Sequence, residues 1–355
     1  MTINKPRCKT LFAILLLASA SWMALPAQEP SQAEEKNREA TQPAEENAGV
    51  RTLSPAELEA TRQAPPAPPP PIPAAQVLSG DHVASGISLR NRGGGVINLR
   101  GAPANAAPIK AFLYWDVLIN APAPSMTVSI NGVDVTGTKI GQGQNPCWGH
   151  QPNANAAYRA DVPLYLLYIG INGDYKIAGV PSSKGTGDSP WPLSGSGSGP
   201  LAEGATLVVV YRHPGNTFTK TYLYESPIAG TMFYISLYTS LGGFNPPAPL
   251  NQAKFTLIGA DGQTGPAGVS GGLTANYPYT AERSFFQWQQ IAGPGDTSSW
   301  VDNDSDWNGQ DVEPLNQLWD TRTHVVPIKQ GSTSAEVQYI SQGDCLIIVA
   351  FILSL

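Results

Sequence analysis

An acidic segment near the C-terminal end has the residue types and spacing of a calcium-binding loop. Carboxylate and amide side chains recur through residues 302–311, which can place oxygen atoms on one side of a tight turn. Calcium takes about six to eight oxygen ligands. The match to an EF-hand loop is partial, because Leu315 stands at the bidentate acid position and no flanking helices are indicated. A solvated acidic loop remains the alternative. The predicted Ca²⁺ ligands are Asp302, Asp304, Asp306, Asn308 and Asp311.

Hydrolytic chemistry is the weaker interpretation of the polar residues. Two carboxyls about 5.5 Å or 6.5–9.5 Å apart could hydrolyse glycosides, but a sequence does not give that separation. Residues 268–272 match G-x-S-x-G, yet this nucleophile motif requires a preceding strand and a following helix, which the surrounding Gly-rich sequence does not indicate. The four histidines lack the spacing of a zinc site. We therefore assign no catalytic residue and keep an extracellular hydrolase of polysaccharide or polyester as an alternative function.

Aromatic residues suggest a ligand-binding surface. Tyr222 and Tyr224, with Tyr234 and Tyr238, alternate along two strands that we expect to be neighbours. Rows of aromatic rings can stack on sugars or form a protein interface. Ordinary cross-strand packing is the alternative. Trp148 and Trp307, which lie in predicted loops, complete the predicted ligand-binding set.

Period-two hydrophobic patterns predict the elements that would position these residues. Apolar residues alternate through residues 109–117 and 126–130, and Asn131-Gly132 predicts a hairpin. The runs 207–210 and 346–353 do not alternate, which predicts strands covered on both faces. The pattern indicates an all-β protein with one large antiparallel β-sandwich or jelly-roll-like domain. Further strands are predicted at residues 165–169, 205–211, 219–224, 232–239, 254–258, 284–290, 324–327, 335–340 and 345–353.

Composition divides the chain into three parts. Residues 1–27 read as a secretory signal peptide, with a basic start, a short apolar run and small residues after it. Residues 28–76 are poor in large apolar side chains and end in a proline-rich stretch, which predicts a disordered linker with a polyproline spacer. The β-sandwich domain is predicted over residues 77–355. Cys147 and Cys345 remain after signal removal, and we expect a disulfide between them, with two separate thiols as the alternative.

Charge and hydropathy limit the partners and the location. The formal net charge is −6 and the sequence pI is about 5.2, which argues against nucleic acid as a partner. The apolar run 346–353 is too short to span a bilayer, so no transmembrane segment is expected after signal removal. We expect a secreted protein, either extracellular or periplasmic, and the sequence leaves its oligomeric state open.

Several short sequence strings follow one another in a fixed order over the β region. They include residues 111–115, Cys147-Trp148 and residues 158–162, followed by residues 204–211, 318–321 and 343–346. Together they resemble a family of secreted bacterial and archaeal cell-surface β-sandwich proteins to which no activity is assigned. The resemblance implies a fold and a compartment, and it supplies no site residues.

The sequence therefore favours an exported, non-enzymatic β-sandwich protein that binds carbohydrate or protein at the cell surface, as in adhesion, with calcium as a possible stabilising ion. A structural subunit of a surface layer or appendage is the other alternative to the hydrolase.

Overall fold

Strands make up nearly all of the secondary structure in the part of the chain that the computed structural model describes. This part comprises residues 70–120, 126–144, 154–182, 200–233, 236–247, 249–260, 285–291, 299–302, 319–340 and 346–355. Only the backbone is described for residues 232–233, 236–238, 285–291, 299–302, 338–340 and 346. The strands are β1 (Ile72–Pro73), β2 (Gln76–Ser79), β3 (Asp81–Ser88), β4 (Gly95–Leu99), β5 (Ala107–Ile119), β6 (Met126–Ile130), β7 (Val133–Gln144), β8 (Ala154–Asp161), β9 (Gly173–Ala178), β10 (Leu201–Arg212), β11 (Lys220–Tyr224), β12 (Thr231–Phe233), β13 (Ser236–Gly242), β14 (Gln252–Ala260), β15 (Phe285–Ile291), β16 (Ser299–Asp302), β17 (Trp319–Pro327), β18 (Ser334–Ile340) and β19 (Leu346–Ser354). A short 3-10 helix, Leu164–Leu167, lies between β8 and β9.

The described strands form three sheets. The eight-stranded sheet has the order β3-β10-β5-β8-β7-β6-β9-β4, the six-stranded sheet has the order β17-β14-β19-β11-β2, with β12 also paired to β19, and the five-stranded sheet has the order β1-β13-β18-β15-β16. Among the described strands, the pairing of β1 with β13 is parallel and all the others are antiparallel. The predicted all-β, antiparallel fold class is confirmed.

The eight-stranded sheet curves until its two end strands approach each other. The Ser85 hydroxyl on β3 donates to the Asn98 carbonyl on β4, with 2.9 Å between the oxygens. The turn between β6 and β7 is the predicted Asn131-Gly132 hairpin, and both residues have positive φ, 50° and 79°. This is the conformation that a two-residue type I′ turn requires. The curved sheet encloses one hydrophobic core, which includes Leu113 and Trp115 of β5.

The outer face of this curved sheet packs against the six-stranded sheet. On β5, Phe112 and Tyr114 point away from the enclosed core and belong to a second cluster with Trp319 of β17 and Ile352 of β19. A third cluster, including Phe351 of β19, lies between the six-stranded and five-stranded sheets. The six-stranded sheet is therefore covered on both faces, as predicted for the run 346–353. The run 207–210 is buried on both faces as well.

Three local predictions differ from the structure. The segment 232–239, predicted as one strand, contains parts of both β12 and β13, which belong to different sheets. Residues 165–169, predicted as a strand, form the 3-10 helix and an exposed loop after it. Strand β1 lies inside the segment predicted as a linker, so strand pairing begins at Ile72. In the described ranges, no helix has the length and apolar composition needed to cross a membrane.

Candidate functional site

The loop between β8 and β9 presents three large apolar side chains to solvent. Tyr165 is 54% exposed, Tyr168 is 78% exposed and Ile169 is 102% exposed. The other large, exposed hydrophobic residues in the described ranges are single valines on β2, β4 and β17. Single exposed hydrophobic residues are ordinary, whereas contiguous apolar patches mark interaction sites. The grouping of these three residues makes this loop our candidate site within the described ranges. We call residues 165–169 the tyrosine loop.

The 3-10 helix brings the two tyrosines to one side of this loop. Side chains three residues apart eclipse each other in a 3-10 helix. Tyr165 and Tyr168 have this spacing, and the Tyr168 amide donates to the Tyr165 carbonyl at 3.4 Å. Pro163 precedes the helix, and its carbonyl accepts from the Leu166 amide at 3.1 Å. This spacing directs both tyrosine side chains to the same side of the turn.

The tyrosine loop is fixed to the core at its base. Leu167 and Ile171 are buried in the enclosed core, at 1% and 3% exposure. The Asn172 amide pairs with the backbone of Ala102 in both directions, since its oxygen accepts from the Ala102 amide at 3.0 Å and its nitrogen donates to the Ala102 carbonyl at 2.8 Å. The Tyr175 hydroxyl donates to the Ile171 carbonyl at 2.8 Å. A ligand would thus meet a loop that is already ordered, which lowers the entropy cost of binding.

The charged side chains at both ends of the loop are paired. Before the loop, the Lys110 ammonium contacts the Asp161 carboxylate at 2.8 Å. After it, the Arg100 guanidinium contacts the Asp174 carboxylate at 2.6 Å and also donates to the Gly173 carbonyl at 2.7 Å. Each acid is neutralised by a local base, so the ends of the loop carry no net charge. The loop itself, residues 165–169, contains no charged side chain.

The predicted tyrosine surface is not present at β11. Tyr222 is 4% exposed and Tyr224 is 0% exposed, and both belong to the core between the six-stranded and five-stranded sheets. The Tyr224 hydroxyl donates to the Gly242 carbonyl at 2.9 Å. Strand β11 pairs with β19 and β2, whereas Tyr238 lies on β13 of another sheet, so the two predicted strands are not neighbours. Tyr222 and Tyr224 are packing residues, which corrects their assignment to ligand binding.

The remaining predicted site residues fall wholly or partly outside the described residues. Asp302 is the last residue of β16, where the backbone alone is described. The same holds for Tyr238 of β13. The predicted calcium loop, the two cysteines and the loop tryptophans therefore stay predictions. The residues concerned that lie entirely outside are Asp304, Asp306, Asn308, Asp311, Cys147, Cys345, Tyr234, Trp148 and Trp307.

Asp, His and Ser, the residue types of a hydrolytic triad, occur together in a buried hydrogen-bond network, but there they have a structural role. His82 of β3 is 0% exposed, and its Nδ1 and Nε2 lie 2.6 Å and 2.7 Å from the hydroxyls of Ser354 and Thr256. Burial lowers the pKa of His82 well below its usual value, and the positive charge of Lys254 lowers it further. The Asp81 carboxylate accepts from Lys254 at 2.6 Å and from Tyr211 at 3.0 Å. Both ring nitrogens are occupied away from solvent, so this network joins two sheets and offers no access to a substrate.

A second buried polar cluster lies on the outer face of the eight-stranded sheet. Asp116 of β5 is 0% exposed and accepts from the Asn155 amide at 3.1 Å. Glu203 of β10 is equally buried and pairs with the Arg90 guanidinium. Asp116 Oδ1, Asn155 Oδ1 and Glu203 Oε2 have no hydrogen-bond partner. Burial raises the pKa of the Asp116 carboxyl well above its usual range, and the neighbouring negative charge of Glu203 raises it further.

The described residues contain no group of three or more His, Cys, Asp or Glu side chains arranged to hold a metal ion.

Comparisons with known proteins give distant structural similarity only. No protein-family model and no curated protein matches the chain. One similar solved structure is the C-terminal CBM6 of LamC, a marine laminarinase from Zobellia galactanivorans, with a TM-score of 0.23, 12% identity, and coverage of 38% of this chain and 99% of that one. Another is the VP2 subviral particle of infectious bursal disease virus, with a TM-score of 0.24, 10% identity, and coverage of 84% and 76%. Similarity at this level does not indicate a function.

Proposed function

We propose that this protein is an exported β-sandwich protein that binds a neutral glycan at the cell surface through its tyrosine loop. The observation that carries the proposal is the exposure of Tyr165, Tyr168 and Ile169 on a loop whose base is fixed in the core. Export is inferred from the signal-like residues 1–27.

The chemistry of the loop favours a sugar ring as the ligand. Tyrosine offers an apolar ring face and a polar hydroxyl, a combination suited to surfaces that are partly apolar and partly hydrated. Sugar rings are of this kind, with apolar C–H faces and hydroxyl edges. Two exposed tyrosines three residues apart offer two ring faces for such contacts. The paired charges at both ends of the loop favour a neutral glycan over an acidic one.

A glycan array with the exported chain tests this function. The double substitution Tyr165→Ala and Tyr168→Ala is expected to weaken binding about tenfold or more for each ring, which corresponds to about 1.4 kcal/mol per ring. The phenylalanine substitutions at the same positions keep both rings and should retain most of the affinity. Val325→Ala, which removes an exposed apolar side chain from β17, is the matched control for surface apolarity.

The result that would overturn the proposal is unchanged glycan binding by the double alanine variant, with circular dichroism showing that it is folded. Binding of a purified protein partner in place of every glycan, lost in the same variant, would also overturn the glycan assignment. Turnover of an array glycan would replace binding by hydrolysis as the function.

A further inference from the structure

The first two strands lie at the edges of two different sheets. Strand β1 ends the order of the five-stranded sheet, and β2 ends the order of the six-stranded sheet. Strand β2 pairs with β11 in antiparallel register, with Ser79 opposite Lys220 and Gln76 opposite Leu223. The Ala75 amide continues this pairing by donating to the Leu223 carbonyl at 2.7 Å. We call residues 72–79 the N-terminal arm.

The N-terminal arm lies on the surface of the domain, and its side chains alternate between partly buried and exposed. Its inward side chains, Ile72, Ala74 and Leu78, are partly buried against the cores on the two faces of the six-stranded sheet. Its outward residues are exposed, and Val77 is 53% exposed. Strand β3, which follows directly, is buried from its first residues. Elements with few buried apolar contacts open at lower free energy than the rest of a protein.

A single residue connects the arm to the rest of the described domain. Gly80 stands alone between β2 and β3, although these strands belong to different sheets. Its φ is +144°, and a Cβ at this position would overlap the carbonyl oxygen of Tyr211. Any other residue would therefore be strained in this hinge. Short, constrained hinges favour exchange of a terminal element between identical chains.

We propose that the N-terminal arm exchanges between two copies of this chain, with Gly80 as the hinge. The arm of one copy then occupies the edge strands of the other and makes the same contacts there. The arm's own contacts are the same in both arrangements, so the added costs are the entropy of bringing two chains together and the close approach of the two domains at the one-residue hinge.

A specific polar contact favours the chain's own arm over an unrelated strand. When the Gln76 amide is oriented to suit its hydrogen bonds, its oxygen accepts from both terminal nitrogens of Arg159, at 3.0 Å and 3.1 Å. Arg159 is held in place by Glu225, whose two carboxylate oxygens each lie 2.7 Å from its Nη1. A foreign strand would have to supply an acceptor at this position and apolar residues at positions 72 and 78.

Cross-linking of a mixture of two single variants tests the exchange. One preparation carries Ser79→Cys and the other carries Lys220→Cys, because these residues are exposed register partners on β2 and β11. The preparations are mixed at high concentration, incubated and oxidised, and the linked peptides are identified by mass spectrometry. The matched control is a mixture of Thr127→Cys and Thr136→Cys. These exposed register partners lie on the β6–β7 hairpin, and their hydroxyls are 2.9 Å apart.

We expect a covalent heterodimer linked between positions 79 and 220, in clear excess over the heterodimer of the control mixture. Adding Gly80→Ala to both chains is expected to increase its fraction, because the substitution strains the closed hinge. A 79–220 mixture that forms no more heterodimer than the control would overturn the proposal. Linkage through the native cysteines alone would overturn it as well. The test does not involve the tyrosine loop, so it succeeds or fails independently of glycan binding.

Discussion

The substitution Asp116→Asn is expected to stabilise the protein at neutral pH. Asp116 is fully buried between Glu203 and Asn155, and the nearby guanidinium of Arg90 is paired with Glu203. Asp116 thus lies away from water, and the neighbouring guanidinium is already paired with Glu203. Asparagine has nearly the same shape as aspartate and can still accept from the Asn155 amide. It removes the charge that burial disfavours.

The size of the effect follows from proton linkage. Burial raises the pKa of Asp116 in the folded protein, whereas in the unfolded chain it titrates near about 3.9. Between these two pKa values the folded state binds more protons than the unfolded state. The free energy of unfolding therefore falls by up to about 1.4 kcal/mol for each pH unit as the pH rises above about 4, until the folded pKa is passed. The asparagine variant lacks this contribution.

Urea unfolding at a series of pH values measures the effect. The free energy of unfolding of the Asp116→Asn variant minus that of the parent protein should grow as the pH rises from about 4 toward neutrality, with the slope given above. Asp134→Asn, which changes an exposed carboxylate on β7, is the control and should show no comparable growth. A constant difference over this pH range, or a parent protein that is more stable than the variant at neutral pH, would refute the reasoning.

Three further predictions concern other parts of the chain. His82→Ala should lower the free energy of unfolding by about 2–4 kcal/mol, measured by urea titration, because it leaves a cavity and removes two buried hydrogen bonds; a loss below about 0.5 kcal/mol would contradict the structural role. Non-reducing peptide mapping should find Cys147 linked to Cys345, and free thiols at both positions would contradict the disulfide. Calcium should raise the thermal unfolding temperature of the parent protein and not that of Asp304→Ala, whereas equal shifts in both would refute the predicted loop.

The strands that the sequence predicted best are those with strong apolar patterns. The alternation along β5 and the continuous apolar run of β19 both correspond to long strands in the structure. Strand β8 was missed because it is rich in alanine, which is uncommon in strands. One contact that holds this strand in the sheet is aromatic, since Trp115 of β5 stacks on Tyr158 of β8 with 5.5 Å between ring centres. That pairing is a property of the packed sheet and is not visible in local composition.

The candidate site could not be predicted for a related reason. Residues 165–169 form an apolar run, and an apolar run indicates burial unless the surrounding structure is known. Pro163 before the run and Gly170 after it were the available signals for a turn. For Tyr222 and Tyr224 the prediction erred in the other direction. Their alternation along the strand suggested a solvent-exposed sheet face, but both side chains are buried. The five-stranded sheet covers that face, and the sequence alone does not reveal how many sheets stack on one another.

The central position of β19 has a consequence for biosynthesis. This strand joins β14 to β11 in the middle of the six-stranded sheet, yet it is encoded after every other described strand. Until residues 346–354 have been synthesised, the six-stranded sheet lacks its central strand. The hydrophobic clusters on both faces of this sheet are then incomplete. Such pairings between distant parts of a chain form slowly. The two cores that β19 helps to form are therefore expected to close only late in folding, after residues 346–354 have been synthesised.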